Sequence, residues 1–188
     1  MSHDANTATV APGKGRRAAL DWLFHSPLAL PLVGLIVVSI LMAFASDNFF
    51  TLNNILNVLR QVSVVAILAV GMTFVILTGG IDLSVGAVMA LSGTIAAGLM
   101  VNMGLPGGVG LIAALLVGLG LGLFNGALVA WGRMPAIIVT LATMGMARGL
   151  GLIYSGGYPI SGLPGWVSWF GVGRVGIMPV PVIIMVIV

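Results

Sequence analysis

Between Arg60 and Arg133 the only charged residue is Asp82. No other feature of this chain restricts its fold as much. A soluble domain is about 25% charged, whereas here charged residues make up 6% and hydrophobic residues 60%. So few polar groups cannot cover the apolar surface of a domain in water, and the apolar runs are long enough to cross a bilayer as helices. Lipid offers the backbone no hydrogen bonds, so each run must satisfy its own amides and carbonyls. The expected fold is an all-α integral membrane protein, a polytopic helical bundle.

Punctuation along the chain divides it. Residues 1–24 read as a flexible cytoplasmic tail, and residues 25–188 as a partial transmembrane domain. The tail is not read as a signal peptide, because the run after it is long, has no A-x-A-like site close behind it and is followed by more spans. Spans are expected at about 28–45, 62–77, 85–103, 109–131 and 136–153. A sixth begins at about 180 and is incomplete at 188, too short for a membrane crossing of about 20 residues, so the sequence reads as truncated in that span. SDNFF breaks the chain after the first span, and Thr51 is a candidate helix N-cap. TLNNILNVLRQ is either a short helix lying at the interface or the wet end of the second span. NMGLPGG and GRMP are turns, and Pro135 suits the first turn of the fifth helix. Residues 154–178 form a Gly/Pro/Trp-rich connection in which Trp166, Trp169 and Phe170 suit an aromatic belt. The Lys14, Arg16 and Arg17 cluster argues for a cytoplasmic N-terminus. Alternation then puts Arg133 inside, and Arg60, Arg148 and Arg174 outside or at the interface.

Several functions are disfavoured. The net charge of +3 does not point to nucleic acid: three of the seven basic residues, Lys14, Arg16 and Arg17, sit in the tail, and no basic–aromatic surface occurs. The chain has no cysteine, and His3 and His25 stand apart from any acidic or histidine cluster, so neither a thiolate nor a metal site is expected and no cofactor is implied. The eleven methionines read as apolar fillers. No GxxxxGK[ST] loop, HExxH helix or nucleophile–base pair occurs, so neither ATP binding through a P-loop nor catalysis is expected here.

The fourth span carries small residues at every fourth position: Gly110, Ala114, Gly118, Gly122, Gly126 and Ala130. Such rows let helix backbones approach closely in lipid, so this helix is expected to be tightly packed within the bundle. Asn125 beside the row needs a hydrogen-bonding partner, either on a neighbouring helix or in a cavity. Thr73, Thr78, Ser92, Thr94, Thr140 and Thr143 are less telling, because a hydroxyl can bond its own helix.

Asp82 lies in TGGIDLSVG, residues 78–86. Three readings remain open. Asp82 or Ser84 could cap the third helix, with Gly79 and Gly80 permitting the turn. The break could expose backbone and side-chain oxygens to a central pathway, as discontinuous helices of transporters do. Asp82 could also take up a proton in a coupled cycle.

Two longer blocks carry a family resemblance: VLRQVSVVAILAVGMTFVILTGGIDLSVGAVMALSG at 58–93 and FNGALVAWGRMPAIIVTLATMGMARGLGLIYSGGYPISG at 124–162. They resemble the permease subunits of bacterial ABC importers for monosaccharides, the ribose-type permeases, from about residue 46 onward. The motif positions are Thr78, Gly79, Gly80, Asp82, Leu83, Ser84 and Gly86, then Asn125, Gly126, Pro135, Thr140, Leu141 and Gly145. The resemblance implies a bundle like that of type II ABC importer permeases, with broken helices, and a multi-pass place in the bacterial inner membrane. It also implies a second permease subunit, identical or different, a cytoplasmic ATP-binding subunit, and a periplasmic sugar-binding protein that delivers a monosaccharide. Thr78, Gly79, Gly80, Asp82, Ser84, Asn125 and Thr140 are the candidate pathway or gate residues. Two alternatives stand beside this reading: a proton-coupled secondary transporter using Asp82, and a branched-chain amino acid ABC permease.

Overall fold

The structure is a computed structural model, and it describes residues 28–188. The tail, with His3, His25 and the basic cluster, lies outside the described residues. The chain divides into two compact units, one ending at Ile55 and one running from Leu56 to Val188.

In the first unit, helix α1 spans Ala29–Ala45. It ends where the Ser46 amide donates to the Met42 carbonyl, and a tight turn follows. Phe49 and Phe50 stack edge to face with centroids 5.0 Å apart. The Asn54 side chain donates to the Phe49 carbonyl at 2.8 Å, and the Asn54 amide donates to Thr51 Oγ1 at 3.4 Å. That second bond is the N-cap expected of Thr51, a hydroxyl serving an otherwise orphaned amide of the first turn.

Helix α2 begins there and runs unbroken over Leu52–Leu77. The structure therefore has no separate interfacial helix at 51–61. Nothing in that stretch interrupts the amide ladder, since it holds neither glycine nor proline. At 26 residues the helix is about 39 Å long, against a hydrocarbon layer of about 30 Å. Its excess length accommodates Asn53, Asn57 and Arg60 at the polar end.

Three further helices form the centre of the second unit: α3 (Val85–Val101), α4 (Gly107–Ala130) and α5 (Ala136–Ser155). Helix α3 packs chiefly against the other two. It runs antiparallel to α4: Ser84 meets Asn125, Ser92 lies by Gly118, and Met100 lies against Gly110. It runs parallel to α5, with Leu91 near Gly151 and Gly98 beneath the ring of Tyr154. Ala87, Leu91 and Ala147 form the buried centre, with Val88, Ile95, Val117, Leu121 and Met144 around them. Most other large apolar side chains face outward, among them Phe74, Leu115, Leu123 and Ile153. Such a surface suits lipid. Among the described residues α2, α4 and α5 are long and apolar enough to cross a membrane, while α1 and α3 are shorter.

The connection after α5 is more ordered than its composition suggests. It contains a short helix α6 (Gly165–Val172) and a two-stranded antiparallel hairpin, β1 (Arg174–Val175) paired with β2 (Met178–Pro179). Trp166 of α6 packs over Gly107 at the start of α4, where a Cβ would come within 2.4 Å of the indole. Helix α7 (Val180–Ile187) follows the hairpin.

Candidate functional site

The segment between α2 and α3 is built as a stop and a restart. Helix α2 closes in a Schellman motif: the Gly79 amide donates to the Ile76 carbonyl at 2.9 Å, and the Gly80 amide to the Val75 carbonyl at 3.1 Å. Gly79 takes φ +78°, which is why glycine is needed there. Gly80 fits against Val75 and Ala136. Thr78 turns its hydroxyl back to the Val75 carbonyl at 2.7 Å.

Asp82 then organises the restart. Its Oδ1 accepts the Ser84 amide at 2.7 Å and the Ser84 hydroxyl at 2.6 Å. Ser84 is the N-cap residue of α3 by position, and its carbonyl accepts the Val88 amide at 2.8 Å. No side-chain cap bond reaches the helix. Of the two expected caps, Ser84 takes the N-cap position of α3 without a side-chain bond to the helix, and Asp82 does not cap it. The carboxylate closes a turn two residues long onto the N-cap amide, and the Ser84 hydroxyl is directed sideways to α4.

From Ser84 a buried polar chain crosses all three central helices. Asn125 Nδ2 of α4 donates to Ser84 Oγ at 3.1 Å, and Thr143 Oγ1 of α5 donates to Asn125 Oδ1 at 2.5 Å. Ser84, Asn125 and Thr143 are all buried. Thr140, one turn earlier on α5, donates to the carbonyls of Ala136 at 2.8 Å and Ile81 at 3.3 Å, tying the break to that helix. Every amide hydrogen and oxygen needs a partner away from water, and this chain supplies partners on one flank of the break.

The other flank lacks them. Among the described residues, the amides of Ile81, Asp82 and Leu83 have no hydrogen-bond partner. These groups lie within the helical layer, because Asn125 is five residues, about 7 Å, inside the end of α4. Helix α3, at about 26 Å, is itself too short for a hydrocarbon layer of about 30 Å. Two cavities meet at the break. One of about 460 Å³ is lined by Val75, Thr78, Gly80, Asp82, Asn125 and Thr140 among others. One of about 260 Å³ runs along α3 and α4 past Asp82, Ser84, Asn125 and Ser92. The Ser92 hydroxyl is buried and unpartnered, two turns along α3 from Ser84.

Residues 54–187 match the family described as branched-chain amino acid transport system / permease component. The chain belongs to this permease family. It is 45% identical over 163 residues to the ribose import permease protein of Escherichia coli (strain K12), a match covering 84% of this chain and 50% of that one. The corresponding protein of Bacillus subtilis is also 45% identical, over 84% of this chain and 49% of its own length. The autoinducer 2 import system permease protein of Yersinia enterocolitica is 39% identical over 71% of this chain and 37% of its own. The chain spans about half the length, or less, of these curated relatives. No solved structure matches it.

In this permease the structure brings together Thr78, Gly80, Asp82, Ser84, Asn125 and Thr140, and puts Gly79 at the α2 stop. The small-residue row behaves unevenly. A Cβ on Gly110 would lie 2.5 Å from Met100 Cε and 3.0 Å from the Ala96 carbonyl, and Gly118 lies opposite Ser92. Ala114 is half-buried. A Cβ on Gly122 or Gly126 would meet nothing within 4 Å, and Ala130 is exposed. Sequence reasoning groups Thr143 and Ser92 with the less telling hydroxyls, and the structure sets them apart. Thr73, Thr78 and Thr94 do bond their own helix carbonyls, but Thr143 bonds Asn125 and Ser92 bonds nothing. Only the pairing of α3, α4 and α5 separates these cases.

Proposed function

We propose that this chain is part of the permease subunit of an ATP-driven importer, and that the broken segment at 78–84 lines the path of a monosaccharide. The observation that carries this reading is the pair of unpartnered amides at Ile81 and Asp82, two residues that line a cavity of about 460 Å³. Unpaired backbone inside a membrane is tolerated only where it is buried in protein or faces a watery cavity. The lining favours a neutral polyol. It offers the Thr78, Asn125 and Thr140 side chains and exposed backbone, with Asp82 as its one charged group and no cation to pair with the carboxylate of an amino acid. The relatives named for ribose and autoinducer 2 lean the same way.

This reading includes a second permease subunit, identical or different, a cytoplasmic ATP-binding subunit and a periplasmic sugar-binding protein as partners. It also includes residence in the bacterial inner membrane with the N-terminus in the cytoplasm. Energy coupling would then belong to the partner subunit, and Asp82 would be structural and path-lining, without a role in proton coupling.

The test is uptake into vesicles holding the protein with its ATP-binding partner and supplied with the sugar-binding protein. Labelled ribose should accumulate with ATP, labelled leucine should not, and Asp82→Asn should lower the rate without introducing or removing dependence on a proton gradient. Leucine uptake would indicate an amino acid permease. Uptake driven by an imposed proton gradient without the ATPase, and abolished by Asp82→Asn, would replace this reading with a secondary transporter.

A further inference from the structure

Arg148 is placed where an arginine should not stand alone. It lies two turns inside the nearer end of α5, a 20-residue helix of about 30 Å, and so within a segment as long as the hydrocarbon is thick, not outside or at the interface where alternation of the spans puts it. Its side chain is exposed and has no hydrogen-bond or ion-pair partner among the described residues. Charged groups at that depth nearly always face a bundle interior or a cavity and pair with one another or with backbone carbonyls.

The surroundings of Arg148 form a groove of about 330 Å³ between α3 and α5. Small residues line both walls: Ala87, Ala90 and Thr94 on one side, Ala147, Gly151 and Ser155 on the other. Ala147, Gly151 and Ser155 recur at every fourth position and Ala90 and Thr94 are likewise four apart, a spacing that permits a third helix backbone to approach closely. The hydroxyls there are committed to their own helices, Thr94 to the Ala90 carbonyl and Ser155 to that of Leu152. The guanidinium is thus the groove's one unsatisfied polar group.

We propose that this groove receives an apolar membrane helix bearing a carboxylate at the depth of Arg148, and that this helix is not a second copy of one already in the fold. None of the seven described helices contains an acidic residue; the described acids, Asp47 and Asp82, lie in the connections on either side of α2. Pairing these helices with their own copies therefore cannot neutralise Arg148. A lipid phosphate sits at the membrane surface, roughly 15 Å from the midplane, which is the wrong depth. The proposal depends only on the membrane setting and is independent of what is transported.

The lack of native cysteines makes disulfide trapping a clean test. The Ala90→Cys protein is reconstituted in phosphatidylcholine vesicles with apolar transmembrane peptides of about 22 residues. Each peptide has Glu, Gln or Leu at its centre and one cysteine a turn away. The Glu peptide should cross-link about 10-fold more than the Leu peptide, with Gln between them. Adding Arg148→Glu should abolish this preference and transfer it to a peptide with a central Lys. Equal cross-linking of the Glu, Gln and Leu peptides would overturn the proposal. So would loss of the Glu preference when phosphatidylglycerol is added, because the lipid phosphate would then be the occupant. Since the peptide series needs no change at Arg148, a folding defect in the charge-swapped variant cannot obscure the result.

Discussion

Replacing Thr143 with valine isolates the buried polar chain from everything else in the bundle. The two side chains have nearly the same shape, so no cavity forms at a residue with 0% exposure. What is lost is the hydroxyl donated to Asn125 Oδ1. An interhelical hydrogen bond in a membrane protein is worth about 0.6 kcal/mol on average and up to about 2. Orphaning a buried acceptor adds a desolvation cost of roughly 1–3 kcal/mol. The two figures overlap, because the measured worth of the bond already contains part of the cost of orphaning Asn125 Oδ1, while the Asn125 Nδ2 bond to Ser84 is untouched. Thr143→Val should therefore destabilise the protein by about 1–3 kcal/mol. Thr94→Val is the control, since its hydroxyl bonds only the Ala90 carbonyl of its own helix. That change should be within about 0.5 kcal/mol of neutral. Reversible unfolding by SDS in lipid–detergent micelles, followed by tryptophan fluorescence, gives both numbers. A double-mutant cycle pairing Thr143→Val with Asn125→Ala should show a coupling of at least about 0.5 kcal/mol. Equal effects of the two threonine changes, or additivity within about 0.3 kcal/mol in the cycle, would refute the claim that a side-chain network joins α4 to α5.

Three further outcomes follow from local geometry. Gly79→Ala meets no atom within 4 Å but must hold φ +78°, so it should cost about 1–2 kcal/mol in the same unfolding assay, all of it conformational. Gly110→Ala should weaken the α3–α4 pairing because its Cβ would crowd the Met100 side chain and the Ala96 carbonyl, whereas Gly126→Ala, facing open space, should leave the unfolding midpoint of the isolated chain unchanged. Asp82→Asn keeps an oxygen to accept the Ser84 amide while Asp82→Ala removes it, so the alanine variant should unfold more readily, by about 1 kcal/mol.

Where the sequence was informative, the reason was that a local rule had no competitor. The helix stop at Gly79–Gly80 and the starts after Pro106 and Pro135 coincide with residues whose backbone chemistry leaves little choice. The run 51–61 was ambiguous because its apolar face suits both an interfacial helix and the wet end of a longer one. The deciding fact, an uninterrupted amide ladder through Arg60 and Gln61, is a matter of what is missing. The hairpin at 174–179 was not read because two-residue strands leave no alternation to detect. The candidate site was half legible. Asp82 and Asn125 stand out as polar groups in apolar surroundings, but Thr143 and Ser92 resemble any other membrane hydroxyl. Their roles depend on α3 running antiparallel to α4 and parallel to α5, which no local pattern encodes.

The two flanks of the break make opposite demands, and the composition of the segment reconciles them. Toward α4 and α5 the chain must be held, and Ser84, Asn125, Thr140 and Thr143 hold it through bonds that span residues up to 59 apart in sequence. Toward the cavities the amides of Ile81 and Asp82 stay unpaired, and under the proposed reading a segment satisfied on all sides would have nothing to offer a passing hydroxyl. A continuous helix through 78–84 would satisfy these amides and close that flank. An unanchored loop would leave more groups unpaired than a membrane tolerates. A short turn fixed by one carboxylate avoids both, because Asp82 Oδ1 uses two local donors to set the backbone and leaves the next three helices to bear the load. A lone carboxylate between Arg60 and Arg133 is thus accounted for by geometry before any role in transport is assigned to it.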